Sequence, residues 1–131
     1  MDVTKDVLTR MVGFVTTTDP AAARRFYGDL LGFRLTGEDD YALVFDAHGT
    51  MLRVNKAREH TPAQGTILGW QVGDIHAAIR ELSGRGVHFE QFGLAFMPQD
   101  ELGVWKASEQ DSVAWFKDPD GNVLSLSQHA A

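Results

Sequence analysis

The sequence contains no cysteine and only four prolines in 131 residues. The first absence excludes disulfides, iron–sulfur ligation, thiolate metal sites and thiolate nucleophiles, and it fits a reducing compartment. Basic residues are also scarce, with 12 Lys plus Arg against 18 Asp plus Glu and a formal charge of −6 at pH 7. Backbone phosphates and anionic lipids repel such a surface unless a local basic stripe overrides the total, and the chain has no such stripe. Neither nucleic acid nor a membrane is therefore an expected partner. Long apolar runs are missing too, since the longest, Tyr41–Phe45, falls far short of the ~20 residues of a membrane-spanning helix. Met1–Asp6 lacks the basic and apolar regions of a secretory leader, and a cytoplasmic location is expected. No phosphate-binding glycine loop, full dinucleotide fingerprint or Gly-x-Ser-x-Gly elbow is present.

What remains is 44% apolar side chains and 13 glycines, enough for one core built from short elements with many turns. Met11–Thr17 is rich in β-branched and aromatic residues and reads as a strand. Asp19-Pro20 is a helix start, with Asp as cap and Pro in the first turn. Ala23, Phe26, Tyr27 and Leu30 then share one helical face, and Gly32 ends the helix. Phe33–Leu35, Tyr41–Phe45 and Met51–Val54 follow as strands, the last two joined by Asp46-Ala47-His48-Gly49.

After a polar linker over Lys56–Gly65 the order begins again. Thr66–Val72 is a strand. Asp74 caps a helix with Ile75, Ala78, Ile79 and Leu82 on one face, closed by Gly84 and Gly86. Val87–Phe89, Ser112–Lys117 and Val123–Gln128 are three more strands, the last two joined by Asp118-Pro119-Asp120-Gly121-Asn122. The turns themselves repeat: Asp46-x-x-Gly49-Thr50-Met51-Leu52 lies over Asp118-x-x-Gly121-Asn122-Val123-Leu124. Two copies of one βαβββ unit are expected, neither able to bury its sheet alone. The second carries an insertion over Gln91–Asp111 with Phe92, Phe96, Met97, Leu102 and Trp105, read either as a functional lid or as a cover for sheet edge.

These paired modules, with Asp19 followed by Phe26-Tyr27 and Leu31-Gly32-Phe33, and with Asp118-Pro119-Asp120-Gly121-Asn122 opening the final strand, resemble the vicinal oxygen chelate superfamily of glyoxalases, bleomycin-resistance proteins and extradiol dioxygenases. The resemblance implies an α+β fold, a single domain over residues 1–131 with modules at about 8–58 and 66–130, and curved mixed sheets forming a cupped cavity, usually completed by dimerisation. Family enzymes place His, Glu or Gln metal ligands on strands of both modules. Counting from the helix caps and turns puts the matching positions at Val12, Leu68, Ser125 and Arg53. None suits a metal: two lack donor atoms, Ser125 is a poor neutral donor, and Arg53 is a fixed cation. No metal and no cofactor are expected.

Strand alternation places Val12, Phe14 and Thr16 on one face, Leu68, Trp70 and Val72 on a matching face, Arg53 and Met51 between them, and Trp115 with Lys117 toward the same site. Arg53 in an apolar setting would need a carboxylate, such as Asp100 or Glu101, or an anionic ligand. The expected ligand-binding set is Val12, Phe14, Arg53, Leu68, Trp70, Trp105, Trp115, Lys117 and Ser125. It suits a small aromatic or amphipathic molecule held by a homodimer without metal. Overall acidity suits a cationic guest, and Arg53 argues the other way. Two alternatives stay open: a lyase or dioxygenase using a metal or acid–base groups at non-standard positions such as His88, Glu90 and Lys117, and a non-catalytic dimerisation scaffold.

Overall fold

The computed structural model describes residues 7–130. Met1–Asp6, on which the reading of a missing leader rests, lies outside the described residues. The chain forms two compact units divided between His60 and Thr61.

The first unit holds β1 (Val12–Thr17), α1 (Pro20–Arg24), β2 (Arg34–Glu38), β3 (Ala42–Ala47) and β4 (Thr50–Lys56). Its sheet order is β1-β4-β3-β2, with β1 parallel to β4 and the other pairs antiparallel. Asp19 caps α1 by accepting the Ala22 N–H at 3.1 Å, and Pro20 follows it. The helix expected to run on to Leu30 changes pitch. Arg25–Leu30 is a wider π-type turn, whose closing bond runs from the Leu31 N–H to the Phe26 carbonyl at 2.9 Å. The apolar face survives, because Ala23, Phe26 and Tyr27 are all buried. The Phe26 and Tyr27 rings meet edge to face at 5.0 Å, and Tyr27 lies 6.1 Å from Phe45 of β3. Leu43, Phe45, Leu52, Val54 and Val15 complete this layer. Each such side chain contributes roughly 1.5–3 kcal/mol by leaving water.

The second unit holds β5 (Thr66–Gln71), α2 (Ile75–Gly84), β6 (Trp105–Lys106), β7 (Asp111–Lys117) and β8 (Val123–His129), in sheet order β5-β8-β7-β6. As in the first sheet, β5 and β8 are parallel and the rest antiparallel. Asp74 caps α2 through the Ala77 N–H, and Ile75 and Ile79 are buried. Gln128 on β8 accepts the Ile75 N–H at 2.8 Å, tying α2 to the sheet.

The expected strand Val87–Phe89 is not a full strand. Phe89 alone bridges to Phe116, and the edge resumes at Trp105, opposite Val113. The insertion therefore interrupts the fourth strand and ends near Val104. Its last residues return as sheet edge.

The repeated turns share one physical cause. In the first, Asp46 accepts the Gly49 N–H at 2.7 Å, with His48 and Gly49 at φ 53° and 100°. In the second, buried Asp118 accepts the Asp120 and Asn122 N–H groups at 3.0 and 2.9 Å, and its other oxygen accepts the Asn122 amide at 2.8 Å. Gly121, at φ 84°, takes the left-handed position that an Asp-Gly turn requires.

Candidate functional site

Each sheet has a face packed against its helix and a face turned away. On the first sheet the outer face carries Phe14 beside Arg53 and Val12 beside Met51, all in direct register. Val44 lies on the other side of Arg53. Phe14 is 56% exposed, Met51 45% and Val12 39%, so these side chains do not fill a core within their unit. An open depression of about 330 Å³ adjoins them, lined by Arg10, Arg34 and Thr36 together with Met11, Val12 and Met51. Asp100 pairs with His76 at 2.7 Å within the second unit. The carboxylate that feels Arg53 is Asp39, held below the usual range first by the Tyr41 and Ala42 N–H groups and then by the Arg53 and Lys56 charges.

The outer face of the second sheet is aromatic. Trp115 of β7 stacks on Trp105 of β6, with ring centres 6.1 Å apart and planes at 26°, and Phe92 of the insertion stands edge-on to Trp115 at 5.5 Å. The Trp115 indole N–H donates to the Thr66 hydroxyl at 3.0 Å. Beside Trp115 in register is Ser125, and beside Ser125 is Gly69. A Cβ at residue 69 would come within 2.6 Å of the Ser125 hydroxyl, so glycine here keeps the serine uncovered. Lys117 lies on the same face, 3.5 Å from Glu90, and His88 is 4.0 Å from the same carboxylate.

The alternation expected for β5 is corrected by this register. The pairing shifts between Thr66 and Leu68, so Leu68 sits beside Leu124 and Trp70 beside Leu126. Leu124 and Leu126 are buried on the helix side. Trp70 stacks on buried Phe116 at 6.3 Å, which makes it part of the core layer. Leu68 and Trp70 therefore stand on the opposite face from Ser125 and Trp115. One extra residue in a strand reverses every side chain beyond it. Thr66 and Gly69 occupy the outer face instead, and neither was expected there. Phe92 joins them from the insertion, edge-on to Trp115. The structure thus brings Trp105, Trp115, Lys117 and Ser125 together on one sheet face, Val12, Phe14 and Arg53 on another, and leaves Leu68 and Trp70 in a core layer.

The register separates the counted positions, with Leu68 on the opposite face of its sheet from Ser125. Val12 and Leu68 offer no donor atom and Arg53 repels a cation. Among the described residues no group of three His, Asp or Glu side chains is placed to hold a metal ion. The donor set of a metal-dependent relative is not reproduced at these positions.

A family profile for the glyoxalase/bleomycin resistance protein/dioxygenase superfamily matches residues 8–126. The chain belongs to that superfamily. Solved structures agree on the fold. A glyoxalase/bleomycin resistance protein/dioxygenase from Alicyclobacillus acidocaldarius superposes with a TM-score of 0.69 at 16% identity, over 93% of this chain and 92% of its own. TnmS3, an antibiotic binding protein from Streptomyces sp. CB03234, gives 0.66 at 24% identity, over 92% and 96%. A glyoxalase family protein from Enterococcus faecalis gives 0.65 at 19%, over 90% and 94%. Comparison with curated proteins yields no match.

Proposed function

We propose that the protein binds a small planar aromatic or amphipathic molecule, without a metal, on the outer face of the second sheet. The observation that carries this reading is the Trp105–Trp115 stack with Phe92 edge-on, a group of half-buried rings on the sheet face opposite buried Phe116. Aromatic rings offer a large contact area with little side-chain entropy to lose, and a third ring can extend an existing offset stack. Thr66, Ser125 and the Lys117–Glu90 pair surround the rings with hydrogen-bonding and charged groups of both signs. Such a mixture orients a ligand on an apolar floor. Because Glu90 already meets Lys117, the face carries no strong net charge of its own and favours a guest that is mainly neutral.

The same reading extends to a homodimer in the cytoplasm, and takes Phe14, Val12 and Arg53 on the outer face of the first sheet as a candidate binding surface of that unit. Its test is a tryptophan fluorescence titration with a panel of planar aromatic compounds, in chelator and again with added Zn²⁺, Ni²⁺, Mn²⁺ or Fe²⁺. Saturable quenching in chelator, lost in Trp115→Ala, is the expected result. Binding that appears only with metal, or quenching unchanged in Trp115→Ala and Trp105→Ala, overturns it.

A further inference from the structure

At the far end of the same sheet face lie three residues that the binding reading does not use. Asp111 opens β7 and pairs in register with His129 at the end of β8. Its carboxylate lies 2.7 Å from His129 Nδ1, while His129 Nε2 lies 3.0 Å from the hydroxyl of Ser127. The carboxylate can only accept, so Nδ1 carries the proton, and Nε2 presents its lone pair to the Ser127 O–H. Ser108 donates to the second Asp111 oxygen at 3.2 Å and its own oxygen accepts the Asp111 N–H at 3.1 Å, which fixes the acidic end. The intervening residue, Gln128, turns the other way to meet α2, so Ser127 and His129 share the outer face.

We propose that Ser127 is a nucleophile activated by His129 and Asp111, and that it accepts acyl groups from small esters. A serine hydroxyl is unreactive until a base within hydrogen-bond reach can take its proton, and the base needs a third group to fix its tautomer. Both relations hold here. The site also has a place for its substrate. Val113 is the register neighbour of Ser127 and Trp105 is the neighbour of Val113, so Trp105 of the aromatic floor lies two strands away in the same row. Gln71 is the register neighbour of Ser127 on its other flank.

In the reaction the Ser127 proton passes to His129 Nε2 as the hydroxyl oxygen bonds to the ester carbonyl carbon. The carbon–oxygen bond to the alcohol then breaks, and His129 returns the proton to the leaving alcohol. A water molecule repeats the sequence in reverse, losing a proton to His129, releasing the carboxylic acid and restoring the serine O–H. Atoms and protons balance with an ester and water as the only reactants.

An alkyl fluorophosphonate tests the nucleophile without calling on the aromatic floor, so its outcome is separable from that of the fluorescence titration. Intact mass and peptide mapping should find one adduct per chain, on Ser127, and none in Ser127→Ala. His129→Gln should label about 10²–10⁴-fold more slowly, the range by which a positioned base speeds proton transfer. Asp111→Asn should also slow labelling, while Ser83→Ala on α2 should label like the parent. Thermal unfolding of each variant checks that it is folded. No adduct on the parent, an adduct retained in Ser127→Ala, or a parental rate in folded His129→Gln overturns the proposal.

Discussion

Gly69 and Ser125 show how closely one residue can be fixed by its neighbour. An added Cβ at residue 69 meets the Ser125 hydroxyl at 2.6 Å and the Ser125 carbonyl oxygen at 3.3 Å. The hydroxyl can rotate away and the carbonyl cannot, because it belongs to the sheet. Gly69→Ala is therefore expected to destabilise the protein by about 1–3 kcal/mol, the usual cost of overpacking. Removing the Ser125 side chain as well should recover part of that loss, which a double-mutant cycle in urea would show as a non-zero coupling. Additive effects would mean that the backbone, not the hydroxyl, sets the clash. Asp118 offers a second case. Its side chain holds two backbone N–H groups and the Asn122 amide, nearly all out of water. Asp118→Ala leaves those donors unmatched, at about 1–3 kcal/mol for an unsatisfied buried group, and the loss should appear as a lower urea midpoint. The two residues differ in legibility. Asp118 was readable because an Asp-x-x-Gly turn has its own chemistry and occurs twice. Gly69 was hidden by a one-residue irregularity in β5 that carries no mark in the sequence, so counting back from Asp74 arrived at Leu68 instead.

Among the elements, the insertion is the part whose order depends most on side-chain hydrogen bonds. Gln99 accepts the Phe92 N–H at 2.8 Å and donates to the carbonyls of Glu90 and Gly103 at 3.0 and 2.7 Å. Asp100 accepts the N–H groups of Leu102 and Val104, both at 2.9 Å, and meets His76 of α2. Apolar burial contributes less: Phe96 is 82% exposed, Leu94 42% and Phe92 39%. Gln99→Leu keeps the bulk but loses three backbone bonds, and should loosen the loop without unfolding the sheet. Hydrogen exchange at Phe92 is expected to rise by about tenfold or more while exchange at Phe116 stays unchanged, since local opening needs far less energy than global unfolding. Equal changes at both positions would show that the loop and sheet unfold together. The start of this insertion was legible from its break in the repeat. Its return at Trp105 was not, because a two-residue strand is too short to show a period of two. The π-type turn after α1 was equally silent, since Ala23, Phe26 and Tyr27 face inward in either pitch.

At the scale of the whole molecule, the duplicated module was the most legible feature, because turn chemistry and apolar periodicity repeat together. Surface electrostatics were legible only as a sum, and the structure assigns that sum to particular carboxylates. Glu38 is held below its ordinary value by its bond with Lys56, Asp46 by the Gly49 N–H and then Arg34, and Asp111 by His129. Asp39 is lowered by the Tyr41 and Ala42 N–H groups. At Asp100 burial acts upward but is outweighed by His76, Val104 and Leu102. All five shifts have the same sign, so the folded chain holds its protons less tightly than the unfolded one at these sites. The stability they confer is complete above the unfolded values, 4.5 for Glu38 and 3.8 for an aspartate, and is lost as pH falls through the lower folded values. The urea midpoint should thus stay level from neutral pH down to about 5 and drop steeply below about 4. Backbone N–H groups are the largest cause at Asp39 and Asp46, and fixed bonds at such short range are little affected by mobile ions. The acid transition should therefore keep its position in about 0.5 M salt, where attraction between separated surface charges is largely screened. A transition displaced strongly by salt would instead place the stabilisation in long-range charge, and would leave the turn bonds at Asp39 and Asp46 with little part in it.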